Sequence, residues 1–371
     1  MKKKVSIFLI CISAILFFTL TVNAEKNDFE TEIIEVGGIN DLEDSLSDQS
    51  KELLESFNIK PNTDILNNLN SKNLLEGILD IALNCGKTPL KVGVTVVVIL
   101  ILSSLLKTVS LNTNGQAVFD YTVLALIIAM LAIPSASTID LTIRAIKDIS
   151  IFSIGFIPAL CGILISSGNI TSVGSTSATL LGVAELIMQL CGGIIAPLVS
   201  MYMAVSICAS LSGSIKFESV TNAIKSGTVW VLSLISTIFL GVINLQSVLG
   251  KATDTLSLKT AKFIIGSSVP IAGGVISESL LTVKNSLSLI GTSVGIYGIF
   301  VMILVLLPVL FEIIIWRVVV KCLSALSEIL SVNGHKNVFA AIDSAFAIIL
   351  AILIFVGVIF IISTSILSGV K

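Results

Sequence analysis

The sequence predicts an all-α, polytopic integral membrane protein, and three observations carry that prediction. Hydrophobic residues make up 54% of the 371 positions and charged residues only 12%, a balance that no water-facing domain of this length needs. Apolar stretches of spanning length recur from about Val92 to the C-terminus, where a single anchor would concentrate them in one place. Those stretches are apolar on every face, as in Phe355 to Ile362, whereas the strands of a membrane barrel alternate apolar and polar residues. The formal net charge of -2 provides no basic stripe to neutralise phosphates, which argues against nucleic acid as a partner.

The elements follow in order. Residues 1-24 read as a signal peptide: Lys2, Lys3 and Lys4, an apolar run from Val5 to Val22, and small residues at the cleavage positions of Val22-Asn23-Ala24. The run is long enough that an uncleaved anchor is the alternative. Residues 25-91 form a polar helical extracytoplasmic region that holds most of the acidic residues. Leu53, Leu54 and Phe57 give it one amphipathic pattern; Ile65, Leu66 and Leu69, then Leu74, Leu75, Ile78 and Leu79, give a second. Asp64 and Ser71 stand where N-caps belong, because their side-chain oxygens accept from amides that a helix leaves unpaired. This region is either a spacer against the membrane domain or a docking surface for partner proteins.

Residues 92-371 form the membrane domain. Charges and clusters of Gly, Ser and Asn delimit spans at Val92 to Val109, Tyr121 to Ile139, Ile149 to Ser167, Thr228 to Val248, Val294 to Val320 and Ala340 to Leu367. Ala178 to Leu211 is too long for one span and is interrupted by Gly192, Gly193 and Pro197, so it is one kinked helix or two short ones. Phe263 to Val283 reads as a broken or re-entrant helix, with Pro270, Gly273 and Gly274 in its middle. The total is about eight spanning or re-entrant helices. Lys216 to Lys225 reads as a short amphipathic segment on the membrane surface, and Trp230 and Trp316 as interfacial anchors. Lys251, Lys259 and Lys262 in one loop, and Arg317, Lys321 and Lys336 in another, suggest two cytoplasmic loops.

Interrupted helices matter because a backbone group without a partner costs several kcal/mol in lipid, so the breaks must be buried in protein or line a wet cavity. The breaks at Pro197 and Pro270 are either packing kinks or a binding site near the midplane. Ionisable residues at membrane depth point the same way, and Glu185, Glu312 and Asp343 are the candidates. Glu185 and Gln189 lie one turn apart and share a face leading to Gly192 and Gly193. Glu312 is one turn past Pro308 and close enough in sequence to pair with Arg317. The uncharged Ser166 to Thr179 segment is a tight hairpin or a pore loop.

Enzymatic patterns are weak. His335, the only histidine, lies in a polar Asn333-Gly334-His335-Lys336 turn and reads as a surface residue. Gly291-Thr292-Ser293-Val294-Gly295 has the spacing of a nucleophile elbow but opens a membrane helix. Gly86-Lys87-Thr88 ends like a phosphate loop, yet Ile81 occupies the place of its first glycine, so no nucleotide is expected to bind directly. Cys11, Cys161, Cys191, Cys208 and Cys322 lie in or beside apolar segments, Cys85 stands near the first span, and no CxxC occurs; a disulfide framework, a zinc site and any other cofactor are not expected.

Asp254-Thr255-Leu256-Ser257-Leu258-Lys259-Thr260-Ala261-Lys262-Phe263, followed by Val269-Pro270-Ile271-Ala272-Gly273-Gly274, resembles the signature stretch of the stage III sporulation protein AE family of endospore-forming Firmicutes. Phe156-Ile157-Pro158-Ala159-Leu160 leading to Ser167-Gly168-Asn169-Ile170-Thr171-Ser172, and Gly291 to Gly298 ahead of a span with Pro308, are similar to it as well. The resemblance implies a mother-cell membrane protein of a channel or secretion complex that joins mother cell and forespore, with a secretion-type ATPase and ring-forming proteins as partners. It carries over no catalytic residues. The reading is therefore a non-enzymatic membrane subunit of that complex. Its candidate conduit or structural-break residues are Asp254, Lys259, Lys262, Pro270, Gly273 and Gly274, with Glu185 and Gln189 second. A stand-alone secondary transporter and a structural scaffold that recruits the other subunits are the alternatives.

Overall fold

The computed structural model describes residues 48–56, 71–107, 113–166, 170–211, 219–242, 273–330 and 335–368. Every element among them is helical: α1 (Asp48–Ser56), α2 (Ser71–Lys107), α3 (Thr113–Ser166), α4 (Ile170–Leu190), a π turn (Cys191–Ile195), α5 (Ala196–Leu211), α6 (Ser219–Val242), α7 (Gly273–Ile329) and α8 (Lys336–Ser368). Among the described residues, six stretches are long and apolar enough to cross a membrane. That is consistent with a multi-pass membrane protein. The segment 1-24 and most of 25-70 lie outside the described residues.

The number six differs from the eight of the sequence reading for two reasons. Tyr121 to Ile139 and Ile149 to Ser167, expected as separate spans, are halves of the single helix α3. Their divider, Asp140 to Asp148, is charged but contains no glycine or proline, and charge alone does not break a helix. Asp140 and Arg144 instead pair one turn apart at 2.7 Å, which supports it. Phe263 to Val283 lies partly outside the described residues, and its described end, from Gly273, runs without interruption into α7. Ser71 does open a helix, but α2 continues from it through Lys91 into the apolar run. Residues 219–225 likewise form the first turns of α6.

Packing fixes how the helices run. Gly291 lies beside Leu164, Gly298 beside Phe156 and Glu312 against Thr138, so α3 and α7 are antiparallel. Gly295 beside Ser368, Gly357 beside Leu306 and Arg317 against Asp343 make α7 and α8 antiparallel too. Gly86 beside Ile315, Gly93 beside Val319 and Ser104 donating to the Leu330 carbonyl set α2 parallel to α7. Glycine at Gly298 lets α3 and α7 approach until the Phe156 ring occupies the space of a Cβ. Phe156 in turn stacks on Phe152 at 5.1 Å and lies 6.0 Å from Phe360, which ties α3 to α8. Trp316 belongs to this interior as well: it is fully buried and stacks on Phe346 at 5.9 Å, so it is a core residue and not the interfacial anchor its place in the sequence suggests. Trp230, by contrast, is 65% exposed.

The helices are longer than a membrane is thick. The apolar part of α3, Val118–Ile165, has 48 residues and rises about 72 Å, or about 55 Å along the normal even at a 40° tilt, against a hydrocarbon core of about 30 Å. On α8 the uncharged run from Ala345 to Leu367 rises about 33 Å, a match to one bilayer. Asp343, Arg317 and Lys321 stand together at one end of that run. Past this charged level, α2 from Gly93 to Lys107 and the first half of α3 project alongside the C-terminal end of α7. Val94, Val98, Leu102, Leu106, Val118, Tyr121 and Leu126 are exposed there.

Gly298→Ala is expected to destabilise the detergent-solubilised protein by about 1–3 kcal/mol, because the added methyl must displace the Phe156 ring. Gly182→Ala, where no atom lies within 4 Å of the new Cβ, is expected to be neutral or to stabilise by up to about 1 kcal/mol. Thermal unfolding of the two variants side by side checks both, and equal melting temperatures would contradict the close α3–α7 contact.

Candidate functional site

Prolines inside helices create the conditions for a polar site in this bundle. Pro89 in α2 and Pro308 in α7 have no N–H to offer the carbonyls of Cys85 and Leu304, four residues earlier. Both prolines lie at the level where α2, α3 and α7 meet. There the structure holds a cavity of about 380 Å³ lined by Asn84 and Cys85 of α2, by Leu141, Arg144, Ala145 and Asp148 of α3, and by Val305, Pro308, Val309 and Glu312 of α7. A cavity of that size with several polar groups in its wall is roomy and polar enough to hold water.

Two carboxylates line the cavity. Glu312 accepts a hydrogen bond from the Thr138 hydroxyl at 2.7 Å, which fixes its side chain across the α3–α7 interface. Asp148 lies ten residues, nearly three turns, further along α3 than Thr138 and is half-buried. Arg144, the cavity's one cationic wall residue, is exposed and turned to Asp140, with Nε and Nη2 at 2.9 and 2.7 Å from the same carboxylate oxygen. Arg317, which the sequence places near Glu312, instead binds Asp343 of α8 at 2.9 Å, with side chains only 19% and 24% exposed. Among the described residues no group of three or more His, Cys, Asp or Glu could hold a metal ion.

A second polar cluster lies on the other side of α3. Ser150 donates to Glu185 Oε2 at 2.6 Å and Gln189 donates to Glu185 Oε1 at 3.0 Å, so the carboxylate of α4 is held from both its own helix and its neighbour. Two residues past Gln189 the α-helix gives way to the π turn at Cys191–Ile195, where the Ala196 N–H bonds the Cys191 carbonyl five residues back. Pro197 explains the turn: it cannot supply an i−4 bond, and the wider π ladder absorbs the mismatch without ending the helix. Ala178 to Leu211 is thus one helical column with an internal bulge, and Gly192 sits against Ile146 of α3.

Of the residues singled out in the sequence, Glu185 and Gln189 are brought together as their spacing predicts. Gly273 and Gly274 are the first residues of α7. Asp254, Lys259, Lys262 and Pro270 lie outside the described residues. Asn84, Thr138, Asp148 and Ser150 were not legible as site residues, although Thr138 and Ser150 are hydroxyls within apolar surroundings on α3, which is a weak signal. His335 is buried and not on the surface. Cys161 and Cys191 are buried as expected, whereas Cys208 and Cys322 are exposed.

The model of the family described as stage III sporulation protein AE matches residues 59–370. A curated relative, the stage III sporulation protein AE of Bacillus subtilis (strain 168), is 29% identical over 184 residues, which cover 49% of this chain. The chain spans 46% of that relative's length in the alignment. No solved structure matches.

Thr138→Val and Ser150→Ala each remove one interhelical hydrogen bond to a carboxylate, and each is expected to cost about 0.6 and at most about 1.7 kcal/mol. The two positions are about 18 Å apart along α3, so the losses add. Unfolding of the two single variants and the double variant in bicelles measures this; a double variant much weaker than the sum would show that the clusters are one coupled network.

Proposed function

Because the chain belongs to the stage III sporulation protein AE family, we propose that it is a non-enzymatic membrane subunit of a sporulation-specific transport or secretion complex connecting mother cell and forespore. In this reading it resides in the mother-cell membrane around the forespore. It works beside a secretion-type ATPase and ring-forming subunits, and it binds no nucleotide itself. The observation that carries the assembly is the length of its apolar helices. One bilayer covers the α8 run from Ala345 to Leu367 but not the apolar halves of α2 and α3 that project past Arg317 and Asp343. Apolar surface of that extent, outside lipid, calls for other protein subunits. The residues from Asp254 to Gly274 would contribute to the conduit, with Lys259 and Lys262 at its cytoplasmic entrance and Pro270, Gly273 and Gly274 forming a break.

The bulged α4–α5 column and the carboxylate-lined cavity favour a second reading, a stand-alone secondary transporter. The two differ in what else the cell must supply. Deletion in a spore former is expected to leave forespores small and late forespore genes silent, with the wild-type chain restoring both. Complementation with Glu185→Gln and with Pro270→Ala then tests the named residues by the same two measurements. Normal spores from the deletion strain would contradict the sporulation assignment, and rescue that is indifferent to the loss of the partner ATPase would favour the transporter.

A further inference from the structure

We propose that the face shared by α2 and α3 is an aqueous crevice that carries water and small hydrophilic ions to the middle of the membrane. The two sides of α3 have opposite character at one level. Ile146 lies against Gly192, and Ser150 donates to Glu185 at 2.6 Å, so these contacts tie the α4–α5 column to the stretch of α3 that holds Lys147 and Asp148. On the column's side, Leu186 and Ile194 are exposed, and Glu185 is the one charged residue between Ile170 and Leu211. That side is a lipid-facing surface. On the other side Asp140, Arg144 and Lys147 are exposed, Asp140 at 55% and Arg144 at 74%.

A second register gives the same depth. Val305 and Pro308 of α7 line the cavity together with Arg144 and Asp148, and Leu306 lies beside Gly357, near the midpoint of the uncharged α8 run from Ala345 to Leu367. The exposed charges of α3 therefore stand where the neighbouring helices are uncharged, and ionised side chains at such a depth face protein or a water-filled cavity, not lipid. The bundle's interior does not take these, because Arg144 pairs with Asp140 on the same exposed face. Polar groups of α2 complete a wet wall. Asp80, Asn84, Lys87 and Lys91 recur at three- and four-residue spacing on one exposed face, and Asn84 lines the cavity with Arg144 and Asp148. This stripe leads outward, since Gly93, just past Lys91, lies beside Val319, close to the Arg317–Asp343 pair. At its inner end the crevice closes, because the exposed face of α3 turns apolar again at Ile151 and Ile154. The inference rests on the chain spanning a membrane and not on its part in sporulation.

The test uses the full-length chain in nanodiscs, with native cysteines other than the probed one replaced, and measures how fast a charged, water-soluble methanethiosulfonate modifies each single cysteine. The reactive thiolate forms in water and not in hydrocarbon, so Lys147→Cys is expected to react at least about tenfold faster than Leu186→Cys, which is exposed near the same level on the lipid side. The native Cys85 in the cavity wall needs no substitution and is expected to be modified as well, more slowly because it is half-buried. Lys147→Cys as slow as Leu186→Cys puts both positions in lipid and overturns the proposal. Fast modification of both puts that level outside the membrane and overturns it equally, and so does an inert Cys85.

Discussion

The thickness of the hydrocarbon core is the constraint on which this structure depends. A 48-residue stretch, apolar apart from Asp120 and the charges between Asp140 and Asp148, cannot be fully submerged in about 30 Å of hydrocarbon at any ordinary tilt, so part of α3 lies outside the hydrocarbon. Arg317, Lys321 and Asp343 mark a charged level across α7 and α8. On one side of that level, α7 and α8 form a hairpin whose uncharged runs fit a bilayer. On the other, the end of α2 and the beginning of α3 form a second apolar zone. A chain that functioned alone would have little reason to build this zone; a chain that assembles with others has a surface ready to be covered.

Polar groups inside the bundle obey the same constraint on a smaller scale. Pro89, Pro197 and Pro308 each remove a backbone donor, and each is accompanied by a local remedy. Pro308 lines the cavity, Pro89 follows the lining residue Cys85 by one turn, and Pro197 follows the π turn. The carboxylates Glu312 and Glu185 are each held by a hydroxyl from α3, at Thr138 and Ser150. Hydrogen bonds of this sort are weak individually in a membrane protein. Their value lies in orienting a charged group inward, since the alternative is an ionised side chain exposed to lipid.

Much of the fold was legible because lipid imposes a simple rule on sequence. Uniformly apolar runs of spanning length became helices at every described position, and the break at Pro197 was found where glycine and proline cluster. What the sequence concealed was continuity. Asp140 to Asp148 looked like a loop because charged residues usually mark the edge of a span, yet nothing in that segment disfavours a helix, and its own Asp140–Arg144 pair stabilises one. Trp316 and His335 looked peripheral for a similar reason: each sits near the end of an apolar run, and only the antiparallel packing of α7 on α8 buries Trp316 against Phe346. The ion pair between Arg317 and Asp343 was hidden because its members lie 26 positions apart. Spacing on one helix predicted Glu185 with Gln189; contacts between helices need the register, which local pattern does not contain.

Depth measurement at two exposed positions tests the central claim most directly. Single cysteines at Leu102, in the projecting end of α2, and at Val358, beside the Gly357–Leu306 contact of α8, would be placed in a chain whose native cysteines are replaced. Each would then be labelled with a membrane-impermeant maleimide, in nanodiscs holding the isolated chain and in membranes from sporulating cells. The account predicts that Val358→Cys is protected in both, whereas Leu102→Cys reacts in the isolated chain and becomes protected in the native membranes. Protection of Leu102→Cys in the isolated chain, at the same depth as Val358→Cys, would place both zones in lipid and contradict it.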